Sequence, residues 1–390
     1  MSHCDARRFS VQQANVLVKD LFQHRAWIYW ADLIVTLAIG YSAAGIYLSA
    51  PLFSPLQIAC YFVAGFALFR AGSFIHEIVH MPGRQMRAFK IGWNVLAGIP
   101  MLMPSFFYGN HIDHHSSKHY GTGKDGEYLP IGSGTLREIG HFYLQVVFLP
   151  VVVYLRFLII TPLSFFHPGL RQWALERASS FVINLQYRRT IPRNAPRQQW
   201  AVIEFFCFLR AAAILVAPAM GAVPWSRVVL LYGLALMTLG LNYIRNLVAH
   251  RYESTGRPMS HLDQLEDSVN IIGIPVVTEL FFPLNLRYHA LHHLLPTLPY
   301  HNLPQAHRRL IEHLPADSSY HRTVHPGFLN VAMQVLRNAR QAPATEAGTS
   351  SRAAAWYANR KRWYEPQPRE TRLEFAQRDE QPTATVRQAG

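Results

Sequence analysis

Residues 56–80 read LQIACYFVAGFALFRAGSFIHEIVH: an apolar run from Leu56 to Ile75 that ends on His76-Glu77-Ile78-Val79-His80. About 20 apolar residues in a helix span a bilayer core of roughly 30 Å, and residues four apart share one helix face. The stretch predicts a membrane-crossing helix that delivers two imidazoles side by side at its end. Upstream, Trp27 to Ser49 is a second apolar block interrupted only by Asp32, and Pro51 and Pro55 mark a short turn between the two. Together they predict a helical hairpin that brings the chain back to its starting side. That side then receives Arg84, Arg87, Lys90, Lys118 and Lys124, the excess of positive charge expected of a cytosolic loop. The first 26 residues carry Arg7, Arg8, Lys19 and Arg25 without a short apolar core and small-residue cleavage site, so the N-terminus is expected to stay in the cytosol.

The rest of the chain fits the same frame. Of 390 residues, 50% are apolar and only 15% charged, which excludes a disordered protein, while the net charge is +14. Arginines facing anionic lipid headgroups account for that charge, and no nucleic-acid-binding motif accompanies it, so no nucleic-acid partner is expected. Three further apolar blocks follow: Phe142–Phe166, Ala201–Val223 and Ser226–Ile244. If all three crossed, the late histidines would face away from the early ones. The first contains Pro150, Arg156 and Pro162 and precedes a loop with Arg171, Arg177, Arg188, Arg189, Arg193 and Arg197 against the single acid Glu176. It is therefore read as re-entrant or interfacial. Ile271–Phe282, with Pro275 and Pro283, is too short to cross easily and is expected to lie along the interface. The fold class is all-α: an integral membrane bundle of about four spans under a cytosolic helical cap. Residues 1–26 form a cytosolic N-terminal segment and 27–337 the principal domain. Residues 338–390, rich in Arg, Gln, Ala, Thr, Glu and Pro, read as a polar disordered tail whose Trp356, Tyr357 and Trp363 could touch headgroups.

Cys4, Cys60 and Cys207 lie far apart without a C-x-x-C, so metal chemistry must rely on the twenty histidines. Three clusters stand out: His76 with His80, then His111-Ile112-Asp113-His114-His115, and His289-Ala290-Leu291-His292-His293. Helical spacing lets each cluster aim its rings at one point. Asn246-Leu247-Val248-Ala249-His250, where the last span emerges, offers His250, and His119, one turn past His115, is a candidate further ligand or supporting donor. So many imidazoles exceed what one metal uses, so two metals are implied. Imidazole alone does not choose among iron, copper, nickel and zinc. A thiolate-free site at the cytosolic mouth of an apolar bundle suits oxygen chemistry on a hydrocarbon chain, which calls for oxidising iron. Asp113, Asp125, Glu127, Asp263 and Asp267 are candidates to orient the rings.

H-x-x-x-H followed by two H-x-x-H-H boxes, separated by paired spans, resembles the membrane fatty acid desaturase superfamily, which includes hydroxylases and carotenoid ketolases. The resemblance covers roughly Trp27 to Leu310 and extends through Leu294-Leu295-Pro296-Thr297-Leu298-Pro299-Tyr300-His301-Asn302-Leu303-Pro304. It implies a four-span bundle with a cytosolic cap holding two iron ions. The ligands it implies are His76, His80, His111, His114, His115, His250, His289, His292 and His293, with Asn246 touching iron through water. It also implies a membrane lipid or acyl substrate, O2, and a separate electron donor of the ferredoxin, rubredoxin or cytochrome b5 type. The short first box favours acyl-lipid or sphingolipid-type relatives. His289, where front-end desaturases have Gln, argues against that branch.

The activity expected from this reading is desaturation of an acyl chain, with hydroxylation or ketolation of a lipid as the alternative. His76-Glu77-x-x-His80 also fits a zinc protease motif with Glu77 as general base, but that reading leaves both H-x-x-H-H boxes unexplained. Glu77-x-x-His80 and Glu138-x-x-His141 match carboxylate-bridged di-iron spacing, but that leaves six histidines unused. Arg outnumbers Lys 32 to 5, which points to a GC-rich, bacterial genome and an inner membrane.

Overall fold

Apolar runs of membrane-crossing length become helices in the computed structural model, which describes residues 12–128, 135–181 and 187–341. Five helical segments there are long and apolar enough to cross a membrane: α1 (Ala26–Ser49), α2 (Pro55–His80), α3 (Leu136–Phe166), α4 (Arg197–Ala219) and α5 (Ser226–Leu247). α1 and α2 form the expected hairpin. Pro55 opens α2 at a position where its missing N–H costs nothing, and the Ser54 hydroxyl accepts the Gln57 amide at 3.2 Å. α5 packs against α2 at Gly65, where an added Cβ would lie 2.2 Å from the Met237 sulfur. Their outer faces are apolar and open, as at Ile34, Phe62, Val202 and Val229, which suits contact with lipid.

Phe142–Phe166, expected to be re-entrant or interfacial, lies within α3, which is long and apolar enough to cross, so the described residues hold five candidate spans where about four were expected. Phe142 stacks on Tyr243 of α5 at 4.4 Å, and Tyr154 donates to the Ala211 carbonyl of α4 at 2.9 Å. The helix then widens into a π-turn at Arg156–Ile160. The buried Arg156 guanidinium donates to the Ala178 carbonyl (2.8 Å), to Ser179 Oγ (3.0 Å) and to Glu204, which also takes Arg171. Phe181, two residues past Ser179, bonds Phe107 through its amide and Asn110 through its carbonyl. These links tie the end of α3 to the layer of residues 107–110. α4 sets out from that same layer, with Trp200 stacked on Phe106 at 5.1 Å.

Above the spans lies a cap of short helices, notably His289–Leu294, Leu303–His313 and Phe328–Gln341. Two residue pairs of parallel sheet, Asn270 with Val324 and Ile271 with His325, join its parts. Ile271–Phe282 breaks into this strand and the helix Pro275–Phe281, with Ile274 and Val276 largely exposed. The helix Phe328–Gln341 runs past Asn338, where the polar tail was expected to begin, because Val331, Val335 and Ala339 give it a buried face. Cys4, Trp356, Tyr357 and Trp363 lie outside the described residues. Asp32, the lone acid in the first apolar block, pairs with Arg70 of α2 at 2.6 Å and accepts from Tyr300 at 2.8 Å. Arg70 also pairs with Glu279 at 2.7 Å, so one guanidinium ties both spans to the cap.

Candidate metal centre

His76 and His80 occupy the last turn of α2, one above the other. His111 and His114 lie on a single helical turn, His111–His114, and His250 follows α5. The segment 268–271, which leads into the Asn270–Ile271 strand, sets these against the His289–Leu294 helix. Val269 donates to the Ala249 carbonyl at 3.1 Å and accepts from Ala290 at 3.3 Å, while Asn270 Oδ1 takes the Leu291 amide at 3.1 Å.

The nine expected ligands converge, but not box by box. His76, His80, His111 and His292 form one group, and His114, His250, His289 and His293 form another; within each, one ligand atom per residue lies within 4.8 Å of the others. Each H-x-x-H-H box is thus split, contrary to the expectation that it aims at one point. The reason is the 3.6-residue turn. His289 and His293, four apart, share a face, whereas adjacent His292 is rotated by about 100° toward the other group. His115 sits at the seam: its Nε2 is 3.0 Å from Nε2 of both His111 and His292, and its ring stacks on His293 at 4.2 Å. His119 stands apart from both groups, bonded to Asp113 at 3.1 Å.

Partners fix which nitrogen faces inward. His111 Nδ1 lies 3.0 Å from Glu127, which also accepts from Tyr108 and Asn110, each at 2.9 Å. His114 Nδ1 lies 2.9 Å from Asp125. Tyr120 donates to Asp267 at 2.7 Å and so accepts from His250 Nδ1 at 2.9 Å. Each of these rings must carry its proton on Nδ1, which turns the Nε2 lone pair into the cluster. His114 Nε2 then meets His250 Nε2 at 3.2 Å, and His289 Nε2 meets His250 Nε2 at 2.9 Å. Two nitrogens each about 2.1 Å from one ion and at right angles would stand about 3.0 Å apart. Converging lone pairs at this spacing repel unless a cation lies among them, so the donor set fits metal.

Of the proposed orienting acids, Asp125 and Glu127 bond rings of these groups directly, and Asp267 acts on His250 through Tyr120. Asp113 instead holds His119 and Tyr187 (2.6 Å), and Asp263 does not reach the site, because it closes a capping box with Ser260 at the start of the His261–Asp267 helix. Sequence reasoning missed Tyr108 and Tyr120, whose roles exist only through folding. It also missed Arg245, buried at the end of α5 and bonded to Asn246 Oδ1 at 2.7 Å. Asn246 and Arg245 border a small cavity beside His111, His114, His250 and His289. Glu77 faces away from the histidines, accepting from Tyr29 (2.6 Å) and the Tyr300 amide (3.1 Å), so it is not placed as a protease base. Glu138 caps its own helix through Thr135.

The comparisons with known proteins agree with this geometry. The family model described as fatty acid desaturase matches residues 53–325. The chain belongs to the fatty acid desaturase family. Within that family it is similar to a ceramide hydroxylase of Caulobacter vibrioides, 39% identical over 334 residues, covering 85% of this chain and 94% of the relative. Membership makes the chain a lipid-metabolising membrane oxidoreductase, and the named relative favours the hydroxylase alternative over the expected desaturation.

Burial holds His111, His115, His250, His289, His292 and His293 well below the ordinary imidazole range. For His114, burial also acts downward, but Asp125 and the other nearby carboxylates outweigh it and raise its pKa. Burial pushes Glu127 up to about 7 and Asp267 up to about 6. In the unfolded chain the same histidines take up protons below about pH 6.5. There the unfolded state binds more protons at the six depressed rings, so stability falls as pH drops through that value. The metal-free protein in detergent should lose thermal midpoint steeply between pH 7 and 5; a flat profile would contradict this balance.

Proposed function

We propose that this chain is a membrane-bound, O2-dependent lipid hydroxylase that inserts one oxygen atom into a C–H bond of a ceramide, using a di-iron centre. The observation that carries the reading is the pairing of two four-imidazole groups with a named ceramide hydroxylase at 39% identity. His76, His80, His111 and His292 would hold one iron, and His114, His250, His289 and His293 the other, with His115 at the seam as the ninth ligand. Asn246, at the cavity beside His250, would reach iron through water. His119, bonded to Asp113, lies outside both groups and is assigned no ligand role.

Bound there, the two irons would supply the reductive activation of O2 that inert C–H bonds require. The chain's own residues prepare the site. Glu127, Asp125 and the Tyr120–Asp267 pair hold protons on Nδ1 and lock ring orientation. The spans exclude water on the side from which the lipid arrives. Overall, one oxygen atom enters the C–H bond and the other leaves as water, consuming two electrons and two protons. A separate ferredoxin, rubredoxin or cytochrome b5 would deliver those electrons. The site would face the cytosol, in a bacterial inner membrane.

The test is mass spectrometry of ceramides from a host that expresses this chain under 18O2. The expected product is heavier by one labelled oxygen. A product lighter by two hydrogens, with no label, would overturn hydroxylation in favour of desaturation.

A further inference from the structure

A groove of about 840 Å³ opens between α2 and the Pro275–Phe281 helix. Phe62, Phe66 and Arg70, four residues apart, place one face of α2 along it. Across from them, Val276 and Leu280 are substantially exposed. Its volume falls in the range of small-molecule sites. Its polar features gather at one end. Arg70 is already bonded to Asp32 and Glu279, whereas Arg287 is not so paired. Arg287 is 8% exposed, its Nε has no partner, and its Nη2 donates to the hydroxyl of Tyr288, at 2.9 Å. Among the described residues no carboxylate forms an ion pair with it. A buried guanidinium whose contacts are one neutral hydroxyl and the Tyr288 ring, 4.8 Å from its carbon, with Nε unsatisfied, is costly, and here it borders a cavity open enough to admit a further acceptor.

We propose that this groove is the lipid site and that Arg287 donates to the amide carbonyl oxygen of a ceramide, with the acyl chain laid along α2. The inference rests on the hydroxylase reading and names where its substrate binds. Two features select an uncharged amide over a phosphate or free carboxylate. Arg70, Asp32 and Glu279 together carry one negative charge, which Arg287 balances, so the polar end of the groove is neutral overall. An anionic headgroup would also meet the Glu279 carboxylate, which lines the same groove. Direction follows from sequence. Arg287 is two residues from His289, at most about 7 Å of backbone, whereas Phe62 lies 14 residues before His76, about 21 Å along the helix. The amide end therefore points toward the imidazoles and the chain terminus away from them. Hydroxylation is expected at carbons close to the amide, and Arg287 is a positioning residue for that choice.

The experiment compares the wild type with Arg287→Met and Arg287→Lys, each full length and iron-loaded in nanodiscs. Ceramide affinity is measured without reductant, alongside metal content, thermal midpoint and, with reductant, the position of the new hydroxyl. Arg287→Met should bind ceramide about 10- to 100-fold more weakly, keep its metal and thermal midpoint, and spread hydroxylation over more carbons. Arg287→Lys should recover part of the affinity. Unchanged affinity and product position in Arg287→Met would overturn the proposal. So would a loss of affinity that appears only together with lost metal and lowered midpoint, since that marks a structural role. Arg287-dependent binding of phosphatidylglycerol in preference to ceramide would also overturn it, by replacing the amide with a phosphate. Wild type that binds ceramide through Arg287 but adds no oxygen would support the groove while defeating the hydroxylase reading.

Discussion

His292→Ala protein is expected to insert into membranes like the wild type, to lose metal and to add no oxygen to lipid. His292 approaches His76 at 4.3 Å between ring centroids and His115 at 3.0 Å between Nε2 atoms, so its removal strips one of four donors from the first group and loosens the ring at the seam. Its own helix is held by backbone bonds from Ala290 to Val269 and from His292 to Tyr288 that alanine preserves. Changing a partner of a ligand typically costs 10- to 100-fold in metal affinity or activity, and loss of the ligand itself should exceed that range. Metal analysis, membrane fractionation and lipid mass spectrometry on the same preparation check all three statements. An active, iron-replete His292→Ala enzyme would remove the basis for the ligand assignment.

Glu127→Gln is expected to have the next largest effect, about 10- to 100-fold in metal affinity and activity. The carboxylate accepts at once from Tyr108, Asn110 and His111. An amide of the same shape offers only one accepting oxygen, and its NH2 group would face a donor. Either the His111 Nδ1 proton or the Tyr108 and Asn110 bonds must give way, and a buried group left unsatisfied is penalised. Glu127→Gln should retain the fold, shown by an unchanged helical circular-dichroism spectrum. Wild-type metal affinity in this variant would show that Glu127 does not orient His111.

Much of the molecule was legible in the sequence because its strongest constraints are local. An apolar run of span length must become a helix, so α1, α2, α4 and α5 could be named from the sequence; spacing singled out eight of the imidazoles, while His250 was read from its place at the end of the last span and the full ligand set from the family resemblance. What spacing could not supply was the sorting of rings into two groups, since His292 and His293 are adjacent in sequence yet face different partners. Tyr120 and Arg245 were equally hidden. Tyr120 touches His250 across 130 residues, and only the folded chain reveals that contact. Asp263 was misjudged for the opposite reason: an acid near a histidine-rich segment was more simply a helix cap. The choice of desaturation over hydroxylation turned on how substrate carbons lie against the metals, which no motif encodes.

The most direct test of the central claim is metal analysis of the purified full-length protein, combined with Mössbauer spectroscopy after growth on 57Fe. Two irons per chain in a nitrogen-rich environment, with each iron lost separately in His292→Ala and His250→Ala, is the predicted result. A single zinc ion per chain, unaffected by His250→Ala, would contradict it.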